Sequence, residues 1–214
     1  MQRNRIKKFY PDSGPLCRAM YPKHMEFFRA GLDFPERCLM AANRVGKTIT
    51  GAYEVSTHLT GKYPEWWPGR RFLNPVSAWA CGDTGTTVRD ITQFELLGPI
   101  ESMGTGMIPY ADIVGRPSRK SGGIPDAIDT VKVRHVSGGI SRLSFKSYKE
   151  GRISFQGTAK DVIWLDEEPD QSIYSECLLR LMTRNGILLS TFTPLMGMSD
   201  VVLSFMPGGR VPDA

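Results

Sequence analysis

Apolar positions along the chain fall into short blocks of two kinds, and the two kinds alternate. Brief runs with little polar interruption (Cys38-Leu39-Met40, residues 76–81, residues 162–165 and the stretch GILLSTFT at 186–193) have the length and continuity of buried strands. Blocks with helical spacing lie between them. Residues 22–30 read as a helix with Pro22 in its first turn and Gly31 as its stop. A second begins at Lys47, carries Ile49, Ala52, Tyr53 and Leu59 on one face, and ends at Gly61. Others are predicted over about 87–97 and 172–182, the last with Ile173, Cys177, Leu178 and Leu181 inward. Strands alternating with helices predict an α/β fold around a mainly parallel sheet. Strict alternation at 131–136 resumes at 140–148 beyond Ser137-Gly138-Gly139, which predicts a β-hairpin insertion. Residues 1–20 are broken by Pro11, Gly14 and Pro15, and 98–126 are rich in Gly and Pro without a period, the expected mobile excursion. Gly51 inside the second helix costs about 1 kcal/mol relative to Ala, so packing must hold it.

Composition narrows the picture modestly. With 214 residues, 41% hydrophobic and 23% charged, the chain suits one globular domain, divided as a basic arm over 1–20 and a main domain over 21–214. No apolar run approaches the ~20 residues of a membrane span. The start, MQRNRIKKFY, lacks the apolar segment of a secretory signal. Cys17, Cys38, Cys81 and Cys177 form no CxxC pair, which argues against a metal or disulfide framework and for a reducing, cytosolic setting. Net charge is +5. The cations cluster at Arg3, Arg5, Lys7 and Lys8, at Arg116, Arg119 and Lys120, and at Arg142, Lys146, Lys149 and Arg152. That surplus suits a polyanion partner, and a solvated surface accounts for it equally well.

Chemistry concentrates where the first predicted strand meets the second predicted helix. The connecting loop reads Ala41-Ala42-Asn43-Arg44-Val45-Gly46-Lys47-Thr48. A strand, a tight loop closing in Gly-Lys-Thr, and a helix together suit a phosphate site, because a helix N-terminus presents unpaired N–H groups to an anion. Lys47 would face the β/γ-phosphates and the Thr48 hydroxyl a Mg²⁺ ion. Ala41 stands where the usual pattern has Gly, so the motif is degenerate. Arg44 is placed either to neutralise the γ-phosphate or to point outward to an acid.

A second carrier is VIWLDEE. Asp166 ends an apolar strand, where ligands bind in open α/β sheets, and can hold the shell of the same Mg²⁺. Glu167 follows and can polarise an attacking water; an ordinary acidic helix start is the plain alternative. Ser190, Thr191 and Thr193 end the next strand, able to meet a γ-phosphate or simply to satisfy a turn. Tyr21 could stack on adenine and His24 hydrogen-bond to it, although both suit a helix start. His58 and His135 lack metal spacing and are read as structural, and Trp66 and Trp67 as a cover over the core.

AANRVGKT, VIWLDEEP and LLSTFTP, in that order, resemble the ATPase domain of the large terminase subunit of tailed double-stranded DNA bacteriophages. The segment from Tyr21 to Phe28 is similar to that family's adenine-contacting region, with His24 where Gln is usual, and Phe155-Gln156-Gly157 matches its aromatic and Gly run. The resemblance implies a P-loop NTPase of the RecA-like type that hydrolyses ATP with Mg²⁺ to drive double-stranded DNA into a procapsid. It implies a ring docked on the portal protein at the procapsid vertex in the host cytoplasm, with a small terminase subunit as partner. By the same resemblance Lys47 and Thr48 bind phosphate and Mg²⁺, Asp166 partners the metal, and Glu167 is the catalytic carboxylate. Ser190 to Thr193 then form the coupling motif, and Arg44 is the loop arginine. Arg116, Arg119, Arg134, Arg142 and Arg152 are candidates for an arginine acting on a neighbouring subunit. Few acids follow Pro194, so no nuclease is expected in this chain, which reads as a fragment or as one half of a split pair. A helicase-type ATPase and a non-hydrolysing remnant remain open alternatives.

Overall fold

In the computed structural model, which describes residues 5–121, 123–195 and 197–206, seven strands build one sheet. They are β1 (Glu36–Met40), β2 (Ser77–Gly82), β3 (Ser118–Arg119), β4 (Ile128–Arg134), β5 (Ile140–Ser147), β6 (Val162–Asp166) and β7 (Ile187–Phe192). Their spatial order is β1-β7-β6-β2-β5-β4-β3. Neighbours from β1 through β5 run parallel, whereas β5/β4 and β4/β3 are antiparallel. The predicted hairpin is therefore no appendage: its second strand joins the parallel core beside β2, and its first widens the same sheet.

The helices are α1 (Pro22–Ala30), α2 (Lys47–Thr60), α3 (Gly85–Thr87), α4 (Phe94–Leu97), α5 (Gln171–Met182) and α6 (Asp200–Ser204). The single helix predicted near 87–97 is composite, since Val88–Gln93 between α3 and α4 is π-helical. Each face of the sheet has its own core. Trp164, Leu189, Ala78, Val131 and Leu143 point toward α2, while Ile163, Leu165, Leu188 and Trp79 point toward α5. Side chains alternate across a strand, so strands covered on both faces must be apolar throughout.

Instead of burying one face, α2 is buried on every side from Thr50 to Thr60. The sheet lies beneath it, and a cover of Tyr10, Phe28, Trp66 and Trp67 lies over Tyr53. Polar residues inside this sandwich are partly paired, with Arg37 Nη1, Glu54 Oε2 and Ser56 Oγ buried without a partner among the described residues. Arg37 bonds to Glu54 and to the Phe27 carbonyl at 3.0 Å, and His58 contacts Glu54 at 3.1 Å and Tyr63 at 2.9 Å. Gly51 faces the indole of Trp164, where an added Cβ would sit 2.4 Å from the ring. That close approach is the packing which holds a glycine in mid-helix.

The two aperiodic stretches are irregular yet packed. In 5–20, Tyr10 is 2% exposed and Arg5 pairs with Glu95 at 2.6 Å. In 98–126, Met107 and Ile108 are fully buried, and their amides bond to the carbonyls of Glu95 and Leu96 at 2.9 and 2.8 Å. The described part of the expected arm and of the expected mobile excursion thus belongs to the domain body; Arg3 lies outside the described residues. No described helix is long and apolar enough to cross a membrane.

Candidate nucleotide site

The phosphate loop closes on two left-handed residues. Gly46 has φ +88° and caps α2, and Arg44 has φ +65°. Ala42, Asn43, Arg44 and Val45 are exposed, so the loop backbone is open to a ligand. Arg44 is exposed, lines the cleft beside the loop and forms no ion pair among the described residues. At the first turn of α2, Lys47 is buried and its Nζ donates to the Ala42 carbonyl and to Thr193 Oγ1, both at 2.8 Å.

Strand order explains the rest. β7 lies between β1, which feeds the loop, and β6, which ends at Asp166. From β7, Thr191 reaches one way and Thr193 the other. Thr191 Oγ1 donates to Asp166 Oδ1 at 2.7 Å and accepts from Trp164 Nε1 at 2.7 Å. Thr193 Oγ1 accepts from Lys47 and lies 2.9 Å from both the Ala41 carbonyl and Asn43 Oδ1. Thr48 Oγ1 closes the arc, 3.2 and 3.3 Å from the two carboxylate oxygens of Asp166. The fold thus gathers Lys47, Thr48, Asp166, Thr191 and Thr193 from three segments. Ser190, from the same run, points away from this cluster and is buried.

Burial pushes the Asp166 carboxyl up to about 7, against the lowering effect of its hydroxyl partners. Burial also raises Glu167, with Lys47 pulling the other way. Glu167 has φ +69°, its amide donates to the Thr191 carbonyl at 3.1 Å, and its side chain turns into the same cleft as the loop. Buried Tyr148 secures this turn, its hydroxyl lying 3.1 and 2.9 Å from the carbonyls of Asp166 and Glu167. Its only sequence signal is its place at the end of an alternating strand.

The cleft beside the loop has a volume of about 460 Å³ and is lined by His24, Tyr21 and, unanticipated, Phe9, Tyr10 and Leu16. Tyr21 stacks on His24 with ring centroids 5.1 Å apart. Both nitrogens of His24 are already engaged: Nε2 donates to the Val45 carbonyl at 3.1 Å, and Nδ1 accepts from the Tyr10 hydroxyl at 2.9 Å. Burial lowers its pKa, which favours the neutral ring that accepts from Tyr10 at Nδ1. His24 therefore braces the loop. The signal for Phe9 and Tyr10 was an aromatic pair set in an otherwise basic, broken stretch. Among the arginines proposed to act in trans, Arg152 is held by Glu176 at 3.1 Å and Arg119 by Asp126 at 3.4 Å.

A parallel sheet with a Gly-Lys-Thr loop opening a helix and an acid ending a strand two places away defines a P-loop NTPase fold. Residues 38–208 match the family model described as terminase large subunit, T4likevirus-type, N-terminal, and the chain belongs to that family. It is 44% identical over 208 residues to the terminase large subunit of Salmonella phage P22, covering 88% of this chain and 41% of that protein. The chain thus spans well under half the length of this relative. Solved structures with a similar fold include a mutant of the large terminase ATPase domain of Thermus phage P74-26, with TM-score 0.51, 16% identity and coverage of 76% and 61%. The large terminase of a second thermophilic bacteriophage, in complex with ADP, aligns with TM-score 0.52, 14% identity and coverage of 80% and 37%.

Proposed function

We propose that the chain is the ATPase motor domain of a phage DNA-packaging terminase, hydrolysing ATP with Mg²⁺ to move double-stranded DNA into a procapsid. The observation that carries this reading is the convergence of Lys47, Thr48, Asp166, Thr191 and Thr193 across β7. A hydroxyl and a carboxylate within 3.2 Å of each other suit Mg²⁺, which takes few protein ligands and completes its shell with water and phosphate oxygens. Thr48 and Asp166 would hold that ion, which would supply charge neutralisation for phosphoryl transfer. Lys47 and the amides of 42–48 bind phosphate oxygens, Arg44 adds a guanidinium at the loop, and Glu167 orients the attacking water. Tyr21 offers its ring to the adenine, with His24 behind it.

In this reading the partners are duplex DNA, the portal protein, a small terminase subunit and further copies of the chain in a ring, at the portal vertex in the host cytoplasm. It gives these residues no nuclease step; metal-dependent nicking of plasmid by the purified chain would refute that part. ATP hydrolysis measured with and without duplex DNA tests the whole. Lys47→Ala should lose nucleotide binding, and Glu167→Gln should bind ATP without turning it over. Equal turnover by Glu167→Gln and the unaltered chain would sink the mechanism.

A further inference from the structure

The sheet face that carries α5 is only partly covered. Helix α5 packs on β6 and β7, and Phe155 covers Trp79 on β2. On β5 the short helical turn Arg152–Phe155 reaches the Lys146 end, its Ser154 carbonyl accepting from Lys146 Nζ at 2.7 Å. Three cations are exposed beyond it, Lys132 and Arg134 on β4 and Arg142 on β5, with Ile140 opposite Arg134 and the acid Asp129 nearer the start of β4. We propose that this β4–β5 ribbon is a contact surface for the phosphate backbone of duplex DNA, a proposal that rests on the DNA-packaging reading above.

Register carries the argument. Lys132 and Arg142 are direct cross-strand partners, and Arg134 pairs with Ile140 one place along the same face. Like charges set directly opposite on a sheet are destabilising. None of the three cations has an acidic partner among the described residues. The row continues onto β2, where Ser77 pairs with Arg142 and accepts from Lys160 Nζ at 3.0 Å. Lys146 lies further along β5, its Nζ 5.4 Å from the Trp79 ring. The acid at this level, Asp161, is already taken by the Ser77 amide at 2.7 Å and by Arg184 at 3.0 Å.

The fold does not require these charges, because Val131, Val133 and Leu143 on the opposite face do the packing. Cations about 5 Å apart across strands and about 7 Å apart along them can engage several phosphates of one duplex. An unpaired, repelling row of this kind complements a polyanion.

The test uses the full chain and a short fluorescein-labelled duplex of arbitrary sequence, titrated at rising KCl. The double variant Lys132→Ala/Arg142→Ala should bind roughly tenfold more weakly at low salt. Its log K against log salt should be shallower by about two phosphate contacts. The thermal midpoint of the double variant should be equal to or above that of the unaltered chain, since like charges set directly opposite are removed. Unaltered affinity and slope in the double variant, or no duplex binding by the parent chain, would overturn the proposal. An unaltered double variant would turn the ribbon over to an acidic protein partner. Loss of ATP hydrolysis in the parent chain, with the duplex still bound through this face, would instead count against the motor reading alone.

Discussion

Lys47 and Thr193 meet at 2.8 Å although 146 residues separate them. Because Thr193 also contacts the Ala41 carbonyl and Asn43, the end of β7 is fastened to the phosphate loop at three points. Replacing Thr193 with Val keeps the shape and removes those bonds. A hydrogen bond to a charged group contributes about 1.5–3 kcal/mol, so kcat/KM for ATP should fall roughly ten- to a hundredfold. Steady-state kinetics check this, and a variant as active as the parent would show that the bridge is idle.

Tyr148 makes no contact with the loop, yet it fastens both carbonyls around the left-handed turn at Glu167. Such a conformation costs a residue other than Gly about 1–3 kcal/mol and persists only when its surroundings enforce it. In Tyr148→Phe the Glu167 side chain should lose its aim. We expect kcat to drop about tenfold, with nucleotide affinity held within about twofold as the loop itself is untouched. Isothermal titration beside turnover measurements separates the two quantities.

Gly51→Ala sets two effects against each other. Helix propensity favours Ala by about 1 kcal/mol, but the new methyl would press on the Trp164 indole from 2.4 Å. Overpacking of a tight core costs about 1–3 kcal/mol, and Trp164 has little room because its Nε1 is bonded to Thr191. The variant should be destabilised in urea, and its Asp166 site disturbed as well.

Acid should weaken the fold through His58. Burial pushes its pKa down, although Glu54 beside it pulls the other way. The unfolded chain takes up a proton below about pH 6.5 that the folded chain refuses. This contribution is therefore full above that pH and is lost as pH falls, by up to about 1.4 kcal/mol per pH unit for one histidine. His24, also lowered by burial, acts in the same direction. Glu54 joins at lower pH: burial alone would raise it, but Arg37 and His58 hold it below the usual carboxylate range. Urea midpoints should be flat from about pH 7 upward and decline below about 6.5, with His58→Gln removing the share of His58.

Where the chemistry is carried by neighbours in sequence, the pattern is legible in the sequence, and the structure brings those residues together. The loop at 41–48, the acid at the end of β6 and the hydroxyls of β7 are each short, local patterns, and strand alternation placed them at one edge of the sheet. Features decided by distant partners were illegible. The aromatic pair Phe9-Tyr10 in a basic stretch is a faint signal at most; the place of Tyr10 comes from His24 and Thr50, 14 and 40 residues away. The all-round burial of α2 depends on a cover assembled from aperiodic segments, and periodicity detects only a helix with one dry face. The π-helical stretch at 88–93 shifts each side chain by less than a turn pattern can register.

A chain of two hydrogen bonds described earlier, from Tyr10 through His24 to the Val45 carbonyl, bears on where the gene can be cut. Trimming to residue 21, the natural choice if the first twenty residues were a tail, would remove a buried ring and leave the Nδ1 of His24 without its donor. Such a shortened protein would express with its sheet intact and its phosphate loop unbraced, and would be mistaken for a poor enzyme. Trials of minimal length should keep Tyr10 and trim elsewhere.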